Sequence, residues 1–304
     1  MPAFRHIVIV MLENASRDTV LENQYMRDLR TRGAFLANSH GVTHPSQPNY
    51  IAMVGGDLLG IDSDHSGWVN WQGHSSYLPT SITSIVDLLE SAGKTWKAYA
   101  EDYDLANQLL KAETPPSQVA VPYESLDQVI PPDPTADGCL FARRHVPFLS
   151  FPNIVNDPQR VQCIVDLTQL DKDLAAGTLP NFCFVVPNLL HDGHNAPSGV
   201  RSDPFDTQNI VNIQAFLEQF LTDDPLSRFP AETLIVLTFD ESYPVTDPYN
   251  IYTLLLGDML QAGTVRMEPY NHYSLLRSVQ VNFGLGSLNR NDLAATPFWF
   301  LQGL

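Results

Sequence analysis

Three stretches of this chain, Ile7–Leu12, Phe182–Val186 and Leu234–Phe239, are apolar throughout apart from Thr238. A strand with one wet face alternates polar and apolar residues, so runs without alternation have no wet face. Such strands sit inside a sheet covered by helices on both sides, the layout of a mainly parallel, layered α/β/α sandwich. The intervening segments supply helices. Ile82, Ile85, Val86, Leu88 and Leu89 recur at helical spacing and stop at Gly93, and Ile210, Ile213, Phe216, Leu217, Phe220 and Leu221 mark a longer amphipathic helix. Trp96–Tyr99 and Tyr252–Leu256 are further strand candidates. The expectation is a single domain over residues 1–304, with residues 115–152, rich in Pro, Asp and Gln and lacking periodicity, as a small insertion or cap.

Composition removes several function classes. The 17 Lys+Arg against 34 Asp+Glu give a formal net charge of −17, too few cations for a nucleic-acid partner. No apolar run reaches the roughly 18–20 residues of a membrane helix, so no membrane span is expected. Cys139, Cys163 and Cys183 form neither a disulfide framework nor a metal-type Cys-x-x-Cys pair, and Cys183 reads as a buried hydrophobe. Met1–Arg5 leads at once into the first apolar run, so no secretory signal is expected in the chain as given. A mature secreted form with an added Met1 would read the same, which leaves cytoplasm and exterior both open.

The chemistry concentrates where the apolar runs end. Ile7–Leu12 is followed by Glu13 and Asn14, and Leu234–Phe239 by Asp240 and Glu241. Phe182–Val186 leads through Pro187 and Asn188 into His191-Asp192-Gly193-His194. In open α/β sheets ligands bind beyond the carboxyl ends of the strands. One strand-end acid is commonly just a helix cap, and Asp-Gly a turn pair. Three such endings gathered at one rim repel or desolvate one another unless a cation joins them, which points to a metal site.

A nucleophile candidate lies between these endings. Thr43-His44-Pro45-Ser46-Gln47-Pro48-Asn49-Tyr50 precedes Ile51-Ala52-Met53-Val54-Gly55-Gly56, a short helix ending at glycines. Ser46 at its N-terminus is by composition alone a plain N-cap. As a catalytic residue it gains from the positive helix end, which stabilises both a phosphate and a serine alkoxide.

Taken in order, Met11-Leu12-Glu13-Asn14, His44 to Tyr50, Ile85 to Leu89 with Trp96 to Tyr99, Pro187-Asn188 with Asp192-Gly193-His194, Thr238 to Glu241, and His272 to Arg277 resemble the phosphoesterase family of bacterial and fungal acid phosphatases and phospholipases C. The resemblance runs from residue 6 to about 290, and that family belongs to the alkaline-phosphatase superfamily. It implies an alkaline-phosphatase-like fold and Ser46 as the nucleophile, with the Asn49 amide donating to a phosphoryl oxygen. It implies one metal centre at Glu13, Asp240, Glu241 and Ser46, a second at Asp192, His194 and His272, and Asn14 as a contact to metal or phosphate. The Asp240-Glu241 pair stands where the superfamily more often has Asp and His. Hard oxygen ligands suit Mg²⁺, Mn²⁺ or Ca²⁺ as well as Zn²⁺, and the divalent ions implied number one or two.

The function expected is a metal-dependent phosphoric-ester hydrolase, acid-phosphatase-like, acting on a small phosphate ester through a phosphoserine on Ser46. A phospholipase C acting on diesters is the alternative, and it would need an exposed apolar rim, for which Trp68, Trp71 and Phe148–Phe151 are the candidates. A non-catalytic metal- or phosphate-binding protein is the second alternative. His65 and His74, with Trp68, Trp71 and Tyr77, are candidates for the substrate pocket, and His191 neighbours the ligand pair without a matched role. His6, opening the first strand, reads as structural.

Overall fold

The first apolar run becomes β1 (His6–Leu12) in the computed structural model, which describes residues 4–64, 78–104, 140–194, 207–244 and 249–302. In chain order the other strands are β2 (Ala34–Leu36), β3 (Ser39–His40), β4 (Trp96–Ala100), β5 (Ile164–Asp166), β6 (Phe182–Val186) and β7 (Thr233–Phe239). They are followed by β8 (Asn250–Ile251), β9 (Thr253–Leu256), β10 (Thr264–Arg266) and β11 (Tyr270–Asn271). Eight strands form one sheet in the order β10-β2-β9-β7-β1-β6-β4-β5, and β11-β3-β8 form a small second sheet.

β1 lies between β6 and β7, parallel to both, with Val10 opposite Val185 and Leu12 opposite Phe239. This register decides where the site forms, because three parallel strands finish together and deliver their next residues to one edge. β9 departs from the pattern and runs antiparallel to both β7 and β2. Its apolar run is legible in the sequence, but the direction of such a run is not.

Both faces of the sheet are dry. Ile7, Ile9 and Met11 of β1 pack on one side with Tyr50, Ile51, Val54, Val86, Leu276 and Val279; Val8, Val10 and Leu12 pack on the other with Met26, Leu170, Ile213 and Leu217. Each such side chain contributes about 1.5–3 kcal/mol on full burial. The helices Ser46–Gly55, Ile85–Ser91 and His272–Phe283 form the first layer, and Thr168–Ala176 and Thr207–Leu221 lie in the second. The Ile85–Ser91 helix starts at a capping box, where the Ser84 and Asp87 side chains each bind the other's backbone end.

Within the expected insertion, residues 115–139 lie outside the described residues. Residues 140–152 do not form an apolar rim. Phe148, Leu149 and Phe151 are fully buried, and Phe148 meets Trp96 and Phe184 ring to ring. Cys183 is buried as expected, and the His6 ring is hydrogen-bonded to the Pro180 carbonyl. No helix among the described residues is long and apolar enough to cross a membrane.

Candidate active site

Glu13, the residue after β1, is fully buried at the carboxyl edge of the sheet. The Ser46 hydroxyl donates to its Oε2 at 2.9 Å, and the Tyr50 hydroxyl donates to its Oε1 at 2.7 Å. Ser46 and Tyr50 are one turn apart on the Ser46–Gly55 helix, so a single rigid element holds both. Every residue of that helix is buried, and Gly56 closes it in the left-handed conformation at φ 72°.

Asp192 comes from the loop after β6. Its backbone carbonyl accepts the Glu13 N–H at 2.8 Å, which ties the β1 and β6 ends together. Asp192 Oδ1 accepts the His194 N–H, and Oδ2 is hydrogen-bonded to Nδ1 of His145 at 3.2 Å. The other ring nitrogen of His145 faces Glu13 Oε1 at 3.3 Å. His145 therefore bridges the two carboxylates, and its ring stacks on Tyr50. The loop is tight because Gly193 sits at φ +96°, where an added Cβ would come within 2.5 Å of Ile213.

The loop is also clamped from β4. Glu101 accepts the Asn188 N–H and binds the His191 ring at 2.8 Å, while Asp102 accepts from the Asn188 amide and from the Leu140 N–H. The Asn188 side-chain oxygen in turn accepts from the Leu190 and His191 N–H groups. Two carboxylates after β4 thus fix both the Asp192 loop and the segment that carries His145. The Glu101 hydrogen bond raises the His191 pKa above its ordinary value.

Asp240 and Glu241 follow β7 and are buried. Asp240 Oδ1 accepts the Asn14 N–H at 3.1 Å, with Asn14 at φ 52°, while Oδ2 is buried without a hydrogen-bond partner among the described residues. Glu241 Oε2 is 2.5 Å from Nδ1 of His44. His272 Nε2 donates to the backbone carbonyl of Asp240 at 2.5 Å. The Asn49 amide is spent on its own loop: its nitrogen donates to the Thr43 and Pro45 carbonyls, and its oxygen accepts from the Val42 and Thr43 N–H groups.

Burial pushes Glu13 well above its ordinary pKa, and repulsion from Asp240 and Asp192 adds to that. Asp192 is raised likewise, chiefly by burial. Asp240 rises to about 6 through burial, against the opposing influence of the nearby Ser46 hydroxyl and the Asn14 and Glu241 N–H groups. His145 is held well below its usual range, first by burial and then by Arg144 and His194. Buried carboxylates that resist ionisation, together with an orphaned carboxylate oxygen, are the donor set a divalent cation completes. Among the described residues, the group whose ligand atoms all lie within 4.8 Å of one another is Glu13, His145 and Asp192. These residues fit a metal ion; their oxygen and nitrogen donors admit Zn, Mg, Mn or Ca.

The grouping differs from the two centres the resemblance implies. Glu13 and Asp192, assigned there to separate centres, meet at His145. Nη2 of Arg144 approaches His194 Nε2 at 3.3 Å. A guanidinium only donates, so that nitrogen of His194 acts as an acceptor toward the arginine. His272, a second-centre metal ligand by resemblance, turns its Nε2 to the Asp240 backbone carbonyl, and Asn49 has no N–H left over for a phosphoryl oxygen. His145, Tyr50 and His44 escaped the sequence reading. The first lies in the aperiodic stretch and carried no signal. The other two belong to the Thr43–Tyr50 segment around Ser46, and their nearness to Ser46 in sequence is the signal for them. His65, His74, Trp68, Trp71 and Tyr77 lie outside the described residues.

Comparison with known proteins brings the same region into view. The model of the Phosphoesterase family matches residues 22–286, which takes in Ser46, His145, Asp192, Asp240 and His272. A probable acid phosphatase of Kluyveromyces lactis is 29% identical over 95% of this chain and 61% of its own length. The chain thus spans about three fifths of that fungal relative. A phosphatidylinositol-3-phosphatase of Mycobacterium tuberculosis is 25% identical, over 94% of this chain and 79% of its own. The phosphonate monoester hydrolase of Agrobacterium radiobacter superposes over 100% of this chain and 77% of its own with a TM-score of 0.58. At 11% identity, that likeness is one of fold.

Proposed function

The chain belongs to the Phosphoesterase family, and from that premise we propose that it hydrolyses phosphoric esters, as an acid-phosphatase-like phosphomonoesterase with Ser46 as nucleophile. The observation that carries this reading is the hydrogen bond from Ser46 to Glu13, both buried, at the first residue of a helix. Ser46 Oγ attacks phosphorus, the ester P–O bond breaks, and the alcohol leaves with a phosphoserine left behind. Glu13 Oε2 is the atom that accepts the serine proton. The leaving oxygen takes up a proton from solvent as the alcohol departs. Water then attacks the phosphoserine and gives up a proton to solvent, and the P–O bond to Ser46 breaks. The proton held on Glu13 returns to Ser46 Oγ as inorganic phosphate departs.

Glu13, His145 and Asp192, with Asp240 beside them, would hold a divalent ion. When bound, such an ion neutralises the carboxylates, lowers the pKa of the serine hydroxyl and draws charge from the phosphoryl oxygens. His145 keeps Glu13 and Asp192 apart at fixed geometry, and Tyr50 orients Glu13. Asn49 braces the loop that presents Ser46. His44, about two-fifths exposed and held by Glu241, stands at the mouth, where it can meet the departing alcohol.

The test is turnover of an aryl phosphate after chelation and divalent-metal supplementation, for the native chain and for Ser46→Ala. Activity that returns with metal, and a loss of several orders of magnitude in the variant with the fold retained, supports the reading. Full activity in protein shown to be metal-free, or near-normal turnover by Ser46→Ala, overturns it.

A further inference from the structure

We infer that Arg144 binds the phosphoryl group of the substrate and sets a preference for dianionic monoesters over diesters; the inference rests on the phosphoric-ester reading above. The electrostatic problem is plain. A phosphate monoester carries up to two negative charges, and it must approach Glu13, Asp192 and Asp240, all buried, in a chain of formal net charge −17. A cation next to these acids has a job that the metal alone leaves partly undone, because the ion is already shared among carboxylates.

Arg144 has the position and the spare donors. It sits in the Arg143–His145 turn, directly before the residue that bridges Glu13 and Asp192. It is half-buried, whereas Arg143 is fully buried, with Nη2 donating to the Leu149 carbonyl. Some arginines are spent on acids, Arg160 on Asp87 and Glu90, Arg228 on Asp171 and Arg266 on Glu268, and others on carbonyls, as Arg290 is on those of Gly55 and Thr83. Arg144 forms no ion pair among the described residues, although its charge is felt at both Asp192 and His145. Its Nη2 reaches His194, and its Nε is buried with no hydrogen-bond partner among the described residues. A guanidinium fork with donors to spare, beside an acid-lined site, suits a tetrahedral oxyanion.

The fork also discriminates. A monoester dianion offers three non-bridging oxygens and a second negative charge. A diester offers two and a single charge, so it gains less from a bidentate cation. His194, hydrogen-bonded to Arg144 and to Asp192 Oδ1 through its own N–H, keeps the guanidinium over the Asp192 loop.

The experiment compares the full-length chain with Arg144→Gln and Arg144→Lys at equal divalent-metal content. Three quantities are read: KM and kcat on an aryl phosphate monoester, the same on a bis-aryl diester, and inhibition by inorganic phosphate. For Arg144→Gln, monoester KM and the phosphate inhibition constant should rise by about 10–100-fold, with a smaller change for the diester. Arg144→Lys, which keeps the charge and loses the fork, should recover part of the loss and serves if the Gln variant does not fold. An unchanged phosphate inhibition constant and an unchanged monoester-to-diester ratio in a folded variant overturn the inference. If the native chain turns over neither ester, the phosphoric-ester reading itself fails. Calorimetric binding of inorganic phosphate then still decides about Arg144: affinity lost with the Gln variant supports it, and equal affinity or no binding overturns it.

Discussion

The imidazole of His145 lies flat on the ring of Tyr50, with 5.1 Å between ring centroids and 3° between the planes. A stacked ring cannot rotate about its Cβ–Cγ bond without losing that contact. Its two nitrogens therefore stay aimed at Asp192 on one side and Glu13 on the other. Tyr50 does a second thing from the same position, since its hydroxyl holds Glu13 Oε1. His145→Ala should lower divalent-metal affinity by about 10–100-fold, the scale of losing a ligand-orienting or ligating group. Tyr50→Phe keeps the stack and loses only the hydrogen bond, so its loss should be smaller. Titration calorimetry measures both. Unchanged affinity in His145→Ala would mean that any ion sits away from the Glu13–His145–Asp192 group.

His145 also marks the limit of what the sequence discloses. The strands were legible because Ile7–Leu12, Phe182–Val186 and Leu234–Phe239 have no wet face, and their ends pointed to Glu13, Asp192 and Asp240. Ser46 was legible as the start of a short helix closed by glycines. His145 belongs to none of these patterns. It reaches the site because Phe148, Leu149 and Phe151 are drawn into the core beside it, a tertiary effect that no local spacing records. The pairing of His272 with a backbone carbonyl is hidden for a similar reason, since main-chain acceptors look alike in a sequence.

The buried acids carry a pH signature. Asp240 moves from 3.8 to about 6 on folding, and burial raises Glu13 and Asp192 in the same direction. For an acid whose folded pKa is raised, the folded state holds its proton more tightly than the unfolded chain does. No penalty exists below the ordinary carboxylate pKa, where both states are protonated. As pH rises through the window between the two values, the unfolded chain ionises first and the metal-free fold loses stability. The melting temperature of chelated protein should therefore fall as pH rises from about 4 to about 6. Added divalent ion should remove most of that fall, because it favours the ionised acids. Scanning calorimetry with and without chelator checks this, and a melting temperature of the chelated protein that climbs over the same range would contradict it.

His272 should not behave as the ligand of an independent second ion. Its Nε2 supports the Asp240 carbonyl, and burial holds its pKa down at about 4, so it stays neutral. His272→Ala should lower turnover of an aryl phosphate by about 10–100-fold through a displaced Asp240, with both chemical steps affected together. His272→Gln, whose amide can donate to the same carbonyl, should recover part of it. Intact mass after acid quench reads the outcome. A burst of phenol with phosphate trapped on Ser46 would instead assign His272 to the hydrolytic step and restore the two-centre arrangement.

Gly193 is the hinge on which Asp192 turns into the site, and two separable costs attend its replacement. Its φ of +96° strains any residue with a Cβ, at about 1–3 kcal/mol. The added methyl would also come within 2.5 Å of Ile213 Cδ1, on the helix that packs the far side of the sheet. Ile213→Val deletes that atom at a cost of about 0.5–1.5 kcal/mol by itself. Gly193→Ala should thus be destabilised by both effects, and the double variant by the backbone strain, the smaller cavity and the milder 3.0 Å contact with the Cγ1 that valine keeps. Denaturant unfolding of the four proteins in the cycle should give a double variant more stable than the sum of the single losses predicts. Activity separates the effects further. The overlap pushes the loop as a body toward Glu13, so turnover in Gly193→Ala should drop more than stability does and should partly return in the double variant. Strict additivity in stability, with no return of turnover, would mean that the loop absorbs the methyl elsewhere and that backbone strain alone sets the requirement for glycine.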